Sequence, residues 1–79
     1  MKEINDAVWS AVNMVWEDVG HHAARPIIAL LERGEIEQAA QMVDEGYDAL
    51  GKDDVYGREA YKELAEEIVN VMETEGSEK

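Results

Sequence analysis

Residues 27–50, IIALLERGEIEQAAQMVDEGYDAL, decide the fold. Ile27, Ile28, Leu30 and Leu31 close one apolar run. Ile36, Ala39, Ala40, Val43, Tyr47 and Leu50 then recur at intervals of three and four, the spacing that aligns side chains on one side of a helix. Between the two runs lies Arg33-Gly34-Glu35. Glycine takes the left-handed backbone that stops a helix without steric cost, so the tripeptide reads as one helix ending and the next starting almost at once. The stretch is a helical hairpin, and the rest of the chain is placed around it.

Upstream, residues 20–26, GHHAARP, form a joint. Pro26 has no amide hydrogen and disfavours helical geometry at Arg25, yet suits the first position of a helix, which predicts a short second helix from Pro26 to Arg33. The other reading has Gly20 merely bending a longer helix that continues through His22 and breaks at Arg25. The first helix is expected from Ile4 to Val19, with Ile4, Val8, Ala11, Val12, Val15 and Val19 along one stripe and Trp9 and Trp16 on its shoulder. Its apolar arc covers more than half the circumference and leaves Asp6, Ser10, Asn13 and Glu17 for water. An arc so wide calls for packing on two sides, by the chain's own helices or by a second molecule. Valine is a weaker helix former than leucine or alanine, so tertiary packing rather than propensity is expected to hold this segment.

Downstream, the third helix is expected from Glu35 to Leu50, closed by Gly51, with Glu37, Gln41, Asp44, Glu45 and Asp48 on its polar side. Gly46 lies beside Val43 and Tyr47. A helical glycine costs about 1 kcal/mol against alanine, which implies that a neighbouring helix approaches closely there. Asp53 or Asp54 caps a fourth helix from Val55 to Glu73, striped by Ala60, Leu64, Ile68, Val71 and Met72. Lys62 and Glu66 stand one turn apart, a contact worth a few tenths of a kcal/mol. Gly57 is so near the start that Val55 and Tyr56 could belong to the connection instead. Residues 74–79, TEGSEK, hold no apolar residue and are expected to fray. The expected architecture is all-α: one domain over residues 1–73, a small bundle of three long helices plus one short helix in antiparallel hairpins, with dimerisation through the first helix as an alternative.

The segment from Leu30 to Leu50 resembles one unit of the helical-repeat families, in which an apolar helix ends in a short glycine turn and an alanine-rich helix packs back on it. The likeness covers about a quarter of the chain and does not recur, so it implies a local packing pattern and no activity.

Seventy-nine residues allow one domain, whose core supplies only about 3–5 kcal/mol. The chain has no cysteine, so it has no disulfide framework, no thiolate nucleophile and no cysteine zinc site. The opening MKEINDAVW lacks the basic start and apolar run of a signal peptide, and no segment approaches the roughly 18 apolar residues of a membrane span; a cytoplasmic protein is expected. Nineteen acidic residues against seven basic ones give a net charge of −12. A field of that sign repels nucleic acid and anionic membranes and favours a basic protein partner, or simply keeps the protein dispersed. Glutamate predominates over aspartate and lysine over arginine, which speaks against adaptation to high salt.

Few residues suggest chemistry. His21 and His22 each follow an acid, Glu17 and Asp18, by four residues, a spacing that can share a metal when the ligands converge. No other segment carries a histidine. The plainer expectation is a helix end whose dipole and acids favour protonated histidine. No carboxylate pair is singled out for acid–base work, and the six glycines are too scattered for a phosphate loop. Of the aliphatic hydroxyls only Ser10 lies outside the tail, so a serine or threonine hydrolase is not expected. The expectation is a non-enzyme with no metal and no cofactor.

Trp9 and Trp16 read first as core, and as interface anchors where they stay exposed. Tyr47, Tyr56 and Tyr61 are expected half-buried, with hydroxyls in water. The function that fits is an acidic interaction module in which Glu37, Asp44, Asp48, Glu63, Glu66, Glu67 and Glu73 face a basic groove of another protein. Its sharp form has these carboxylates stand in for phosphates, as a mimic of nucleic acid. In size and charge, though not in motif, the chain resembles small acidic phage inhibitors of restriction and CRISPR systems. The alternatives are a structural homodimer and a metal-binding module at His21/His22.

Overall fold

Helix α1 (Asp6–Asp18) begins where Asn5 turns its side chain back, its Oδ1 accepting the Val8 N–H at 3.0 Å. That is the N-cap a polar residue supplies best, and it starts the helix two residues later than the stripe alone predicts. The structure, a computed structural model, describes residues 5–77, with side chains through residue 73. Ile4, expected in the stripe, lies outside the described residues. Val8, Ala11, Val12 and Val15 are buried, while Asp6, Ser10, Asn13 and Glu17 are exposed, as the periodicity requires.

The second helix departs most from expectation. α2 (His21–Glu32) starts directly after Gly20, whose φ of 141° ends α1, and it runs straight through Pro26. Neither a start at Pro26 nor a break at Arg25 occurs. Pro26 falls in the second turn, so the amide it lacks would have served only the carbonyl of His22, an exposed residue on which water can substitute. Against that single missing bond stand the buried Ala24, Ile27, Leu30 and Leu31, which recur at helical spacing on both sides of the proline. Burying such side chains is worth about 1.5–3 kcal/mol each for the larger ones, so packing outweighs the local penalty. The bundle therefore has four full helices rather than three long and one short.

The glycine turn centred on Gly34 forms as read, and the helices on its two sides pack together. Gly34 has φ 79°, its N–H donates to Leu31 O at 3.1 Å, and the Glu35 N–H donates to Leu30 O at 2.9 Å. These two bonds are the Schellman closure of a helix on a left-handed glycine. α3 (Ile36–Ala49) follows and buries Ile36, Ala39 and Val43. Its end differs in detail, because Leu50 swings to an extended ψ of 144° and Gly51 opens the turn instead of capping the helix. Asp54 N–H then closes that turn on Gly51 O at 3.1 Å.

Asp54 is the N-cap of α4 (Val55–Ser77), accepting the Gly57 N–H at 3.0 Å, so Val55 and Tyr56 belong to the helix. Gly57 is buried at this corner: a Cβ there would lie 2.9 Å from Leu50 Cδ1. α4 continues to Ser77, four residues past the expected end at Glu73. No proline follows Glu73, the helix passes through Gly76 despite its lower propensity, and the absence of apolar residues removes packing rather than backbone hydrogen bonds. Residues 78–79 of the expected tail lie outside the described residues.

α1 packs against α2 and α4, and α3 against the same two helices. The diagonal pairs make no close backbone approach among the described residues. Four helices with two neighbours each close a ring around one core, whose centre holds Val8, Val15, Ile27, Leu31, Ile36, Val43, Leu64 and Ile68. The body measures 41 × 19 × 19 Å. The wide apolar arc of α1 is thus covered from within, by α2 on one side and α4 on the other. Among the described residues no polar or charged residue is buried, and no helix is long and apolar enough to cross a membrane.

Candidate interaction surfaces

The acids that sequence singles out stand on two helices. On α3, Glu37, Asp44 and Asp48 are exposed at intervals of seven and four, a single ridge. On α4, Glu66 and Glu73 are exposed, while Glu63 and Glu67 are half-buried. Among the described residues the one ion pair joins Arg33 Nε to Glu35 Oε2 at 2.8 Å, so none of these seven carboxylates is neutralised by a neighbouring cation. They do not merge into one plane. The side of α4 turned to α3 is lined by Tyr61, Lys62 and Ala65, which face Val43, Asp44 and Tyr47 across a groove of about 200 Å³. Glu63 and Glu67 are rotated by about 100–140° from Lys62 around the helix, on its other flank. Glu66 and Glu73 fall within about 40° of Lys62, on the same side of α4 as its cations, so the α4 acids are split between its two flanks.

The tryptophans are intermediate in burial. Trp9 and Trp16 are half-buried against the edge of the core. The Trp16 ring lies 4.1 Å from that of His21, centre to centre, at an interplanar angle of 31°. His21 and His22 open α2 instead of closing α1, so they meet the amide end of a helix dipole and not its carbonyl end. With Gly20 intervening, Glu17 and Asp18 are no longer one helical turn from them. Among the described residues no three or more histidine or carboxylate side chains gather where they could hold a metal.

The tyrosines sort differently from expectation. Tyr56 is 77% exposed and Tyr61 only 5%. Tyr61 reaches over Gly46, where an added Cβ would sit 2.5 Å from the ring's Cζ, which is the close helix approach that the glycine implied. Burial pushes the Tyr61 hydroxyl's pKa up, because the phenolate would lose its hydration. Tyr47 is half-buried and its hydroxyl is tied to protein: Arg58 Nη2 donates to it at 3.1 Å, and the guanidinium carbon lies 4.6 Å from the ring centre.

Sequence reading missed this α3–α4 corner. Lys52, Arg58 and Lys62 converge with Tyr47, Val55 and Glu59 on a depression of about 260 Å³. Val55, at 64% exposure, and Tyr56 stand beside it in α4's first turn. Arg58 and Lys62 are one turn apart, and that signal was present in sequence; Lys52 and Tyr47 join them only because the turn at residues 50–54 folds α3 against α4. A second groove of about 580 Å³ runs between α2 and α3, lined by Pro26, Ala29, Leu30 and Met42 with Arg33 and Glu45.

The chain matches no family model, no curated protein and no solved structure.

Proposed function

We propose that this chain is a non-enzymatic, cytoplasmic interaction module whose acidic ridges dock on a basic surface of another protein. What carries the reading is the solvation of its charge: among the described residues none of the singled-out carboxylates on α3 and α4 is ion-paired, and no charged residue is buried in the core. A solvated acid that spends nothing on internal pairing keeps its whole field for an approaching molecule. In its sharp form the module mimics nucleic acid and blocks a phosphate-binding groove, in the manner of a phage-type inhibitor of the anti-restriction or anti-CRISPR class. The partner is then a nucleic-acid-binding protein. Consecutive helices joined by such short turns are taken as antiparallel hairpins, which place the acids of α3 and α4 along the length of one body.

The test is capture from host lysate at low and then raised salt, repeated with added duplex DNA and with Glu37, Asp44 and Asp48 changed together to the neutral amides. Screening shrinks from about 10 Å at 0.1 M salt to 3 Å at 1 M. The reading expects nucleic-acid-binding proteins on the wild type, released by salt and by DNA and lost from the amide variant. A partner held equally by both proteins, at any salt, would overturn it.

The homodimer alternative relied on the wide arc of α1, and α2 and α4 already occupy that arc. What remains for it is the half-exposed surface of Trp9 and Trp16. Light scattering at several concentrations distinguishes the two, the preferred reading expecting a monomer. The metal-binding alternative at His21/His22 has no gathered ligand set among the described residues to support it.

A further inference from the structure

We infer that the α3–α4 corner formed by Lys52, Arg58 and Lys62 around Tyr47 binds a small dianionic oxyanion of the phosphate type. Three of the chain's seven cationic residues line one depression of about 260 Å³. Acids outnumber bases throughout, yet none of the three pairs with a carboxylate among the described residues.

Arg58 is the preorganised member. The Tyr47 hydroxyl accepts from its Nη2 and the Tyr47 ring lies against the guanidinium, which fixes a side chain that would otherwise lose much rotamer freedom on binding. Its Nε–H is buried with no acceptor among the described residues, a donor left unpaired beside the depression. Lys52 and Lys62, both exposed, supply mobile charge at the rim. The site is built from side chains and not from the helix terminus, because the Gly57 amide is already taken by Asp54.

The net charge of −12 opposes an anion, but magnitude favours the local groups. At physiological ionic strength fields decay over about 8 Å, so the cations that line the depression act on a bound anion more strongly than the net charge does, with Asp44 across the neighbouring groove and Glu59 at the lining as the acids that oppose it. Three positive charges against the single Glu59 at the lining favour a dianion over a monoanion such as a carboxylate. A long polyanion would have to pass the acidic ridges and is disfavoured. Phosphate geometry also suits the planar donor fork of arginine.

The experiment titrates the full chain with inorganic phosphate, phenyl phosphate and acetate at constant ionic strength, following backbone amide shifts. Saturable shifts confined to the neighbourhood of Lys52, Arg58 and Lys62 are expected, with phosphate tighter than acetate. Phenyl phosphate exceeding phosphate would identify a phosphoryl group carried on an organic molecule that uses Tyr47 and Val55; equality would identify the free ion. Lys62→Gln should weaken binding about fivefold or more, and Glu59→Gln should strengthen it. Both positions are exposed, so the fold is retained, which circular dichroism checks. Arg33→Gln, outside the site, should leave affinity unchanged. Shifts that grow linearly and spread over the surface would overturn the assignment. So would equal losses in Lys62→Gln and Arg33→Gln, since that pattern reports only the overall field.

Discussion

At Gly46 the missing side chain makes room for an aromatic ring. A methyl group there would sit 2.5 Å from Tyr61 Cζ, and the ring, 5% exposed, is hemmed in by the core. Gly46→Ala gains about 1 kcal/mol of helix propensity but overpacks the α3–α4 contact, which typically costs 1–3 kcal/mol. The expected result is a net loss of stability of about 1 kcal/mol in urea melts; a more stable variant would mean the ring moves aside freely. Tyr61 also sets an alkaline limit. Its hydroxyl has a raised pKa in the fold through desolvation, so the folded state holds its proton more tightly than the unfolded chain. The stabilisation is therefore complete below the ordinary tyrosine value of 10.0 and is lost as pH rises through the higher folded value. Tyr61→Phe should flatten that alkaline loss, as read by thermal melts above pH 10, and leave the neutral-pH melt nearly unchanged.

At the scale of the element, α2 shows tertiary packing overriding a local rule. Pro26 is exposed and removes one hydrogen bond near the helix start, while Ile27, Leu30 and Leu31 bury the next turns. Pro26→Ala restores that donor and is expected to stabilise the protein by about 1–3 kcal/mol, an amount reduced by the greater freedom of alanine in the unfolded chain. Denaturant midpoints measure it. A destabilised variant would mean that the proline's restriction of the unfolded chain outweighs the bond it removes. α4 shows the converse, a start written locally. Asp54 caps it through the Gly57 amide, and Asp54→Ala should cost about 1 kcal/mol in the same assay.

For the whole molecule, charge and core act separately. The core contains no buried charge among the described residues, so the acids act on stability through mutual repulsion in solvent. Raising salt from about 0.01 M to 0.15 M shortens the screening length from about 30 Å to 8 Å and should raise the melting temperature of a chain with net charge −12. A melting temperature flat across that range would indicate that the ridges are too far apart to repel.

The sequence by itself determined the helical class, the turn at Gly34, the cap at residue 53 or 54, the water-facing side of α1 and the packing role of Gly46. All of these rest on periodicity, capping and glycine chemistry within a few residues of chain. Only the tertiary structure decided that α2 continues through Pro26, because the compensating burial comes from other helices. It alone set Glu63 and Glu67 on the flank of α4 turned away from the α3 ridge, since which flank of α4 meets α3 depends on how a ring of four helices closes. The same closure brought Tyr47, Lys52 and Arg58 together at one corner, a juxtaposition across a turn that no single-helix period encodes.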